Sequence, residues 1–382
     1  MKIVMLTPYF YPHTGGTEKY VKDLSIGLVQ AGHEVTVISN NVPIRAKAPA
    51  EEVMQGVRIK RLPAFDFFYL PISLPFNLKL VEDFDIIHAH APAFSFVRSV
   101  GDKVKTPLVL TYHCDTVAFD KIMGIPIPGF IRTAFEESFN AYARLWLPKV
   151  DAIISTTESY ASTSHVLKDF PHYVVPIGVH YENFDPVIKK LGITEEKRLK
   201  NQVLFVGRLA ANKGVEYLIR AVPKILTRFP DTKFIIAGEG EEKPHLLTLI
   251  KLFKVEEAIT FFGTVTFEKL IELYTTSTVF VLPSINRLEA FGIVQLEAMA
   301  CSTPVVVSNI PGVKEVAGEG GFLAEPKDPD SLAEAICKIL SNREKAREMG
   351  RHARMLVEKR YNWKIIVERI VEIYKGVIRK KA

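Results

Sequence analysis

The chain has no run of eighteen apolar residues, no C-x-x-C pair, and no Asp-x-Asp pair at a plausible phosphate-binding position. The first absence predicts that no helix spans a membrane. The second argues against a zinc ribbon and a disulfide framework, so the three cysteines, Cys114, Cys301 and Cys337, read as small hydrophobes. The third predicts chemistry without a metal ion, and no other cofactor is expected. The opening MKIVMLTPYFYPHTGG reads as a strand entering a Gly-rich turn rather than as a signal peptide. The expected location is therefore the cytoplasm, with peripheral attachment to the inner membrane face as the remaining membrane role.

What is present is ordinary globular material. The 382 residues are 48% hydrophobic and 24% charged, enough for two domains. The net charge of +6 is uneven: residues 1–185 hold 17 Lys and Arg against 19 Asp and Glu, so the surplus is C-terminal and concentrated from Lys338 onward. A basic helix can meet an anionic membrane surface, but a solvated face is the simpler reading. No interleaving of aromatic and basic residues accompanies the charge, and no nucleic-acid partner is expected.

Strand-like and helix-like segments alternate in two rounds. KIVMLTP (2–8), an amphipathic stretch from about Thr17 to Ala31 and HEVTVIS (33–39) form a first strand–helix–strand unit. DIIHAH (85–90), TPLVLTYH (106–113) and KVDAIISTT (149–157) add three short apolar strands. The pattern restarts at NQVLFVGRL (201–209), with a helix from about Gly214 to Phe229, then TKFIIAGEG, AITFFGTV, STVFVLPS and TPVVVSN. Two doubly wound α/β domains in series are predicted, joined within residues 174–187, where Pro, Gly, Asn and Asp cluster. Ligands bind such sheets at the carboxyl ends of the strands, so two facing sheets would share one interdomain cleft.

The stretch RLEAFGIVQLEAMA (287–300) sets Glu289 in a loop after a buried strand and Glu297 roughly five residues into a helix, about 7.5 Å along its axis. Helix-start amides between them suit a phosphate, and an ionised carboxylate on either side suits sugar hydroxyls. Hydroxyls, phosphate and hydroxyls again form the layout of a nucleotide-sugar. VGRLAANKG (206–214) adds Arg208 and Lys213, two cations able to hold a diphosphate and stabilise its departure. In the first half, Gly15-Gly16 precedes a helix and allows close backbone approach, yet the dinucleotide fingerprint and the ribose-binding acid are both missing. His113 ends its strand beside Cys114, an unsuitable nucleophile pair because neighbouring residues on a strand face opposite ways. His88 and His90 share a strand face without a third ligand at metal spacing and read as packed or hydrogen-bonded.

Taken in order, GGTEKYV (15–21), TYHCD (111–115), VVPIGV (174–179), VGRLAANKG, AGEGE (237–241), FFGTV (261–265) and EAFGIVQLEAMACSTPVVVSNIPGVKEV (289–316) resemble the retaining family-4 glycosyltransferases of the GT-B fold over essentially the whole chain. The resemblance implies an acceptor-binding domain at 1–180, onto which a helix from about 364 to 382 packs back, and a donor-binding domain at 181–363. It implies that Glu289 meets donor-sugar hydroxyls, that amides around Phe291, Gly292, Ile293 and Val294 reach sugar and phosphate oxygens, and that Glu297 accepts from the ribose. Arg208 and Lys213 would hold the diphosphate, Gly15 and Gly16 would approach it, His113 would meet the donor sugar, and the segment around Val265 would border the base. Ile177, His180 and Ser302 depart from the family pattern, where Asn, Asp and Gly are usual.

The implied reaction moves a hexosyl group from a UDP-, GDP- or ADP-sugar to a hydroxyl of a glycan, lipid-linked or small-molecule acceptor with retention and without metal. Segments 57–78 and 121–139, rich in proline and aromatics, are the candidate acceptor or membrane surface. A catalytically silent nucleotide-sugar-binding protein is the alternative, and a nicotinamide-dependent oxidoreductase lacks its fingerprint.

Overall fold

A computed structural model describes residues 1–13, 15–41, 48–67, 70–73, 76–91, 94–118, 121–122, 125–193 and 201–381. Parts of the two candidate acceptor segments, residues 68–69, 74–75 and 123–124, lie outside that set. The chain divides into two compact units, Met1–Ile177 with Trp363–Ala382, and Gly178–Asn362. The first break falls within the stretch 174–187 that the Pro, Gly, Asn and Asp cluster marks.

Unit 1 contains strands β1 (Lys2–Leu6), β2 (Glu34–Asn40), β3 (Glu51–Met54), β4 (Val57–Leu62), β5 (Ala64–Phe67), β6 (Leu70–Ser73), β7 (Ile86–Ala91), β8 (Leu108–Tyr112), β9 (Lys121–Ile122), β10 (Ile125–Pro126), β11 (Ala152–Ser155) and β12 (Tyr173–Val174). Its helices are α1 (Gly16–Gln30), α2 (Phe94–Val100), α3 (Gly129–Trp146) and α4 (Glu158–Ala161). The main sheet runs β12-β11-β8-β7-β1-β2-β4-β3. All its pairs are parallel except β3 with β4. Strands β1, β7 and β8 are almost wholly buried, and the polar side chains within β7 and β8, His88, His90 and Thr111, are buried with them. The β3–β4 and β5–β6 hairpins are not in the sequence reading. Most of this stretch is proline- and aromatic-rich and reads as a loop, although β4 alternates, with Val57, Ile59 and Arg61 buried and Arg58 exposed.

Unit 2 contains α5 (Phe184–Leu191), β13 (Gln202–Val206), α6 (Val215–Arg228), β14 (Lys233–Ala237), α7 (Lys243–Phe253), β15 (Ile259–Gly263), α8 (Phe267–Thr276), β16 (Val279–Leu282), α9 (Ile293–Ala300), β17 (Val305–Ser308), α10 (Val313–Ala317), β18 (Gly321–Ala324), α11 (Pro329–Leu340) and α12 (Arg343–Arg360). Its six strands run β15-β14-β13-β16-β17-β18, all parallel. Val203, Phe205, Val279 and Val281 from the two central strands sit in a core closed by α6, α7 and α11. Chain order reverses between β13 and β16, so their carboxyl ends frame the topological switch point where α/β sheets bind ligands. Strand β18, only GFLA, was too short to stand out in the sequence.

The last helix, α13 (Trp363–Lys381), belongs to unit 1 and packs on α1. Trp363 lies 5.7 Å from the Tyr20 ring, and Val367 would collide with any side chain at Gly27, at 2.7 Å. Its Tyr374, fully buried, places its hydroxyl 2.6 Å from His88 Nδ1, while His88 Nε2 lies 2.7 Å from Thr111 Oγ1. Among the described residues no helix is long and apolar enough to cross a membrane.

Burial holds His88 neutral, its pKa pushed down to about 3, and does the same to His113, again to about 3. Their folded pKa values lie below the unfolded ones, so the unfolded chain binds more protons between the two and stability is lost as pH falls. Below the ordinary histidine value of 6.5, each should subtract about 1 kcal/mol per pH unit. Denaturant melts of the whole protein from about pH 7 to about pH 5, above the range where carboxylates titrate, should show this decline. A flat profile would mean that the histidines titrate normally.

Candidate active site

The site in unit 2 is assembled by loops that touch backbone to backbone. After β13, residues Ala211–Lys213 make a short helical turn, and Gly214 follows at φ 66°. A Cβ there would lie 2.0 Å from the Pro283 carbonyl oxygen in the loop after β16. The Ile285 amide donates to the Asn212 carbonyl at 2.9 Å and secures the same junction. On the other side, Leu209 donates to the Glu239 carbonyl, and Glu242 donates back to Leu209. The loops after β13, β14 and β16 are therefore one joined surface.

That junction brings Lys213 and Glu289, 76 positions apart, into an ion pair between Lys213 Nζ and Glu289 Oε2. Ser284 Oγ donates to the same oxygen at 3.1 Å. Glu289 is only 9% exposed, so its charge rests on these two donors rather than on water. Arg208 is not part of this cluster. It is exposed and forms a forked contact with Glu241, at 3.1 and 3.3 Å. The two cations that looked equivalent in the sequence thus have different environments.

Helix α9 starts where its sequence spacing predicts. Gly292, at φ 75°, precedes it, and a Cβ there would strike Leu282 at 2.6 Å. Phe291, Ile293 and Val294 flank this turn. Gln295, wholly buried, donates through Nε2 to the Phe291 carbonyl at 2.6 Å and to the Val313 carbonyl at 3.2 Å. These bonds fix the peptide plane from which the amides of the helix start project, a ready anion site. Nothing in the sequence singles out Gln295; only the fold shows it bridging α9 to α10. Glu297, the fifth residue of α9, accepts a hydrogen bond from the buried Tyr274 hydroxyl at 3.0 Å. Burial first, and then the nearby carboxylate, push the Tyr274 pKa well above its ordinary value, so the phenol keeps the proton it donates. Val265 lies half-buried in the loop after β15, just ahead of Thr266, which caps α8.

Gly15, Gly16 and His113 belong to unit 1. Gly15 is the extended residue ahead of α1, and a Cβ on it would meet the Glu18 carboxylate at 2.2 Å. His113 follows β8, buried, with Nε2 at 3.2 Å from His90 Nδ1 and its ring edge-on to Tyr20 at 4.9 Å. Among the described residues, His90 Nε2 is buried without a partner. The tautomer with the smaller penalty makes that nitrogen a bare acceptor, so His90 Nδ1 donates to His113 Nε2 and the remaining His113 proton sits on Nδ1. Among the described residues, no three His, Cys, Asp or Glu side chains are grouped to hold a metal.

Comparison with known proteins follows the same division of the chain. Residues 14–183 match the model described as Glycosyltransferase Family 4, and residues 188–356 match the one described as Glycosyl transferases group 1. An uncharacterised glycosyltransferase of Methanocaldococcus jannaschii is 31% identical over 394 aligned residues, covering 98% of each chain. Sucrose-phosphate synthase of Thermosynechococcus elongatus superposes with a TM-score of 0.79 at 23% identity over 99% of both chains. The Anabaena protein HepE, solved with UDP and glucose, gives a TM-score of 0.71 at 17% identity over 98% of this chain and 100% of that one. At such identities the structural likenesses speak for the fold, two parallel-sheet α/β domains of the GT-B type. With the family models and the archaeal relative beside them, the chain belongs to the family-4 glycosyltransferases.

Proposed function

We propose that this glycosyltransferase moves a hexosyl group from a nucleoside-diphosphate sugar to a hydroxyl of a glycan, lipid-linked or small-molecule acceptor, retaining the anomeric configuration and using no metal ion. The observation that carries the reading is the Lys213–Glu289–Ser284 cluster beside the start of α9. A donor offers this cluster what it needs. Sugar hydroxyls donate to Glu289, phosphate oxygens draw the half-buried Lys213 ammonium, and both charges exchange one partner for another without being left alone. The amides from Phe291 to Val294 and the positive end of α9 add to the field at the phosphate.

Glu297, oriented by Tyr274, takes the ribose hydroxyls, and Val265 borders the base. Arg208 leaves Glu241 for the outer phosphate; its exposure makes that movement cheap. Gly15, Gly16 and His113 keep the roles that the resemblance gives them in unit 1, with His113 Nδ1–H as the donor to a sugar hydroxyl. During transfer, the bond from the anomeric carbon to the phosphate oxygen breaks and the acceptor oxygen bonds on the same face. The acceptor proton passes to the departing phosphate, and Lys213 stabilises the charge that develops there. The complex of HepE with UDP and glucose is one reason to place UDP-sugars first among the donors to be tested.

Three outcomes are expected. One of the UDP-, GDP- or ADP-sugars should raise the thermal midpoint, because a ligand that binds only the folded state stabilises it; a sugar that binds but is never cleaved with any acceptor would favour the silent alternative. Lys213→Ala should lower kcat roughly a hundredfold. It also strands Glu289, so Lys213→Ala/Glu289→Gln should recover stability without recovering turnover, whereas full activity of a purified Lys213→Ala protein sinks the clamp. Exhaustive chelation should leave the transfer rate unchanged, and restoration of a lost rate by added Mg²⁺ or Mn²⁺ would overturn metal independence.

A further inference from the structure

Helix α3 is amphipathic in the wrong direction for a helix covering a core. Of its eighteen residues only Asn140 and Ala143 are buried. Its inward side is polar in part: Glu136 turns in to accept the Ala118 amide at 3.0 Å. The large apolar side chains face out instead, with Phe130 75%, Ile131 47%, Phe135 39% and Leu145 63% exposed. At about 100° per residue these four, with Ala134 and Ala141, fall within one arc of roughly 140°, and no charged residue of the helix lies inside it. Such a face does not stay in water without a reason.

We propose that this outward face of α3 is a lipid-docking surface that lies in the interfacial layer of a bilayer. The size of the face argues against a second copy of the chain. Eighteen residues at 1.5 Å each make a strip about 27 Å long and about 10 Å wide. Its area of about 300 Å² falls well short of the roughly 800 Å² per partner of a stable protein interface. A bilayer imposes no such minimum, since apolar burial and charge attraction add continuously. Charge complementarity points the same way. The segments 94–103 and 129–149 carry Arg98, Lys103, Arg132, Arg144 and Lys149 against Asp102, Glu136 and Glu137, a surplus of two cations suited to anionic headgroups. Asp169, outside these segments, pairs Arg144 at 2.6 Å and lowers the surplus to one, while Asp102 is paired to Lys149 at 2.8 Å and Glu136 is turned inward. The docking face is thus on α3 rather than on the basic end of α13, and it stands independently of the donor chemistry.

Flotation of the full chain tests this with vesicles of phosphatidylcholine alone and of equal parts phosphatidylcholine and phosphatidylglycerol. The wild type should float, more completely with the anionic vesicles. Phe130→Ser/Phe135→Ser should weaken partitioning roughly a hundredfold, as loss of two inserted phenyl groups requires. Its melting temperature should stay near that of the wild type because both positions are exposed. Arg379→Gln/Lys380→Gln, on the basic tail, should float as the wild type does. Three results would overturn the proposal: a wild type that binds neither vesicle, a double-serine variant that floats unchanged, or loss of flotation only in the tail variant. A fourth would do so too: a wild-type dimer dissociated by the serine substitutions would assign the face to a second copy. None of these readouts involves sugar transfer, so a failed donor assignment leaves the result standing.

Discussion

The closeness of three backbone turns governs the rest of unit 2. Gly214 lies against the Pro283 carbonyl, Gly238 against the Gly207 carbonyl and Gly240 against the Leu209 carbonyl, with room for no Cβ at any of them. Gly214 and Gly238 also sit at φ 66° and 137°, where other residues are strained. This contact lets a lysine after the first strand of unit 2 reach a glutamate after the fourth. Without it, Lys213 and Glu289 would be two surface charges on separate loops. With it, they form one part-buried ion pair.

Much of the architecture is legible in the sequence because parallel strands covered on both faces leave unbroken apolar runs. NQVLFV, TKFIIA, TVFVL and TPVVVS each contain the strand observed. The start of α9 is legible too, since Gly292 precedes a run of good helix formers. What escapes are features that depend on distance along the chain. The pairing of Lys213 with Glu289, the hold of Tyr274 on Glu297 and the bridging role of Gln295 join elements whose adjacency only strand order determines. The β3–β4 hairpin escapes for a different reason: VRIKRL alternates, with Val57 and Ile59 buried and Arg58 exposed, but it runs directly into a proline- and aromatic-rich stretch that reads as loop.

Ser302 shows how a departure from the family pattern is absorbed. It follows α9 at φ 55°, in the left-handed region that the usual glycine occupies without strain. The chain path is kept, and Gly350 of α12 lies against the Ser302 carbonyl, where a Cβ would come within 2.1 Å. The strain falls at the far end of α9 and leaves the amides at its start undisturbed.

The docking of α13 has a consequence for how the protein is built. Unit 1 takes Trp363 and Tyr374 into a core that otherwise comes from the first 177 residues, so its interior joins segments separated by the whole of unit 2. Unit 2 is continuous and has every residue it needs by Asn362. The half that leaves the ribosome first is therefore the half that finishes last. Until α13 arrives, Tyr20, His88 and Gly27 face solvent, and closing that gap carries the entropic cost of a loop as long as a domain.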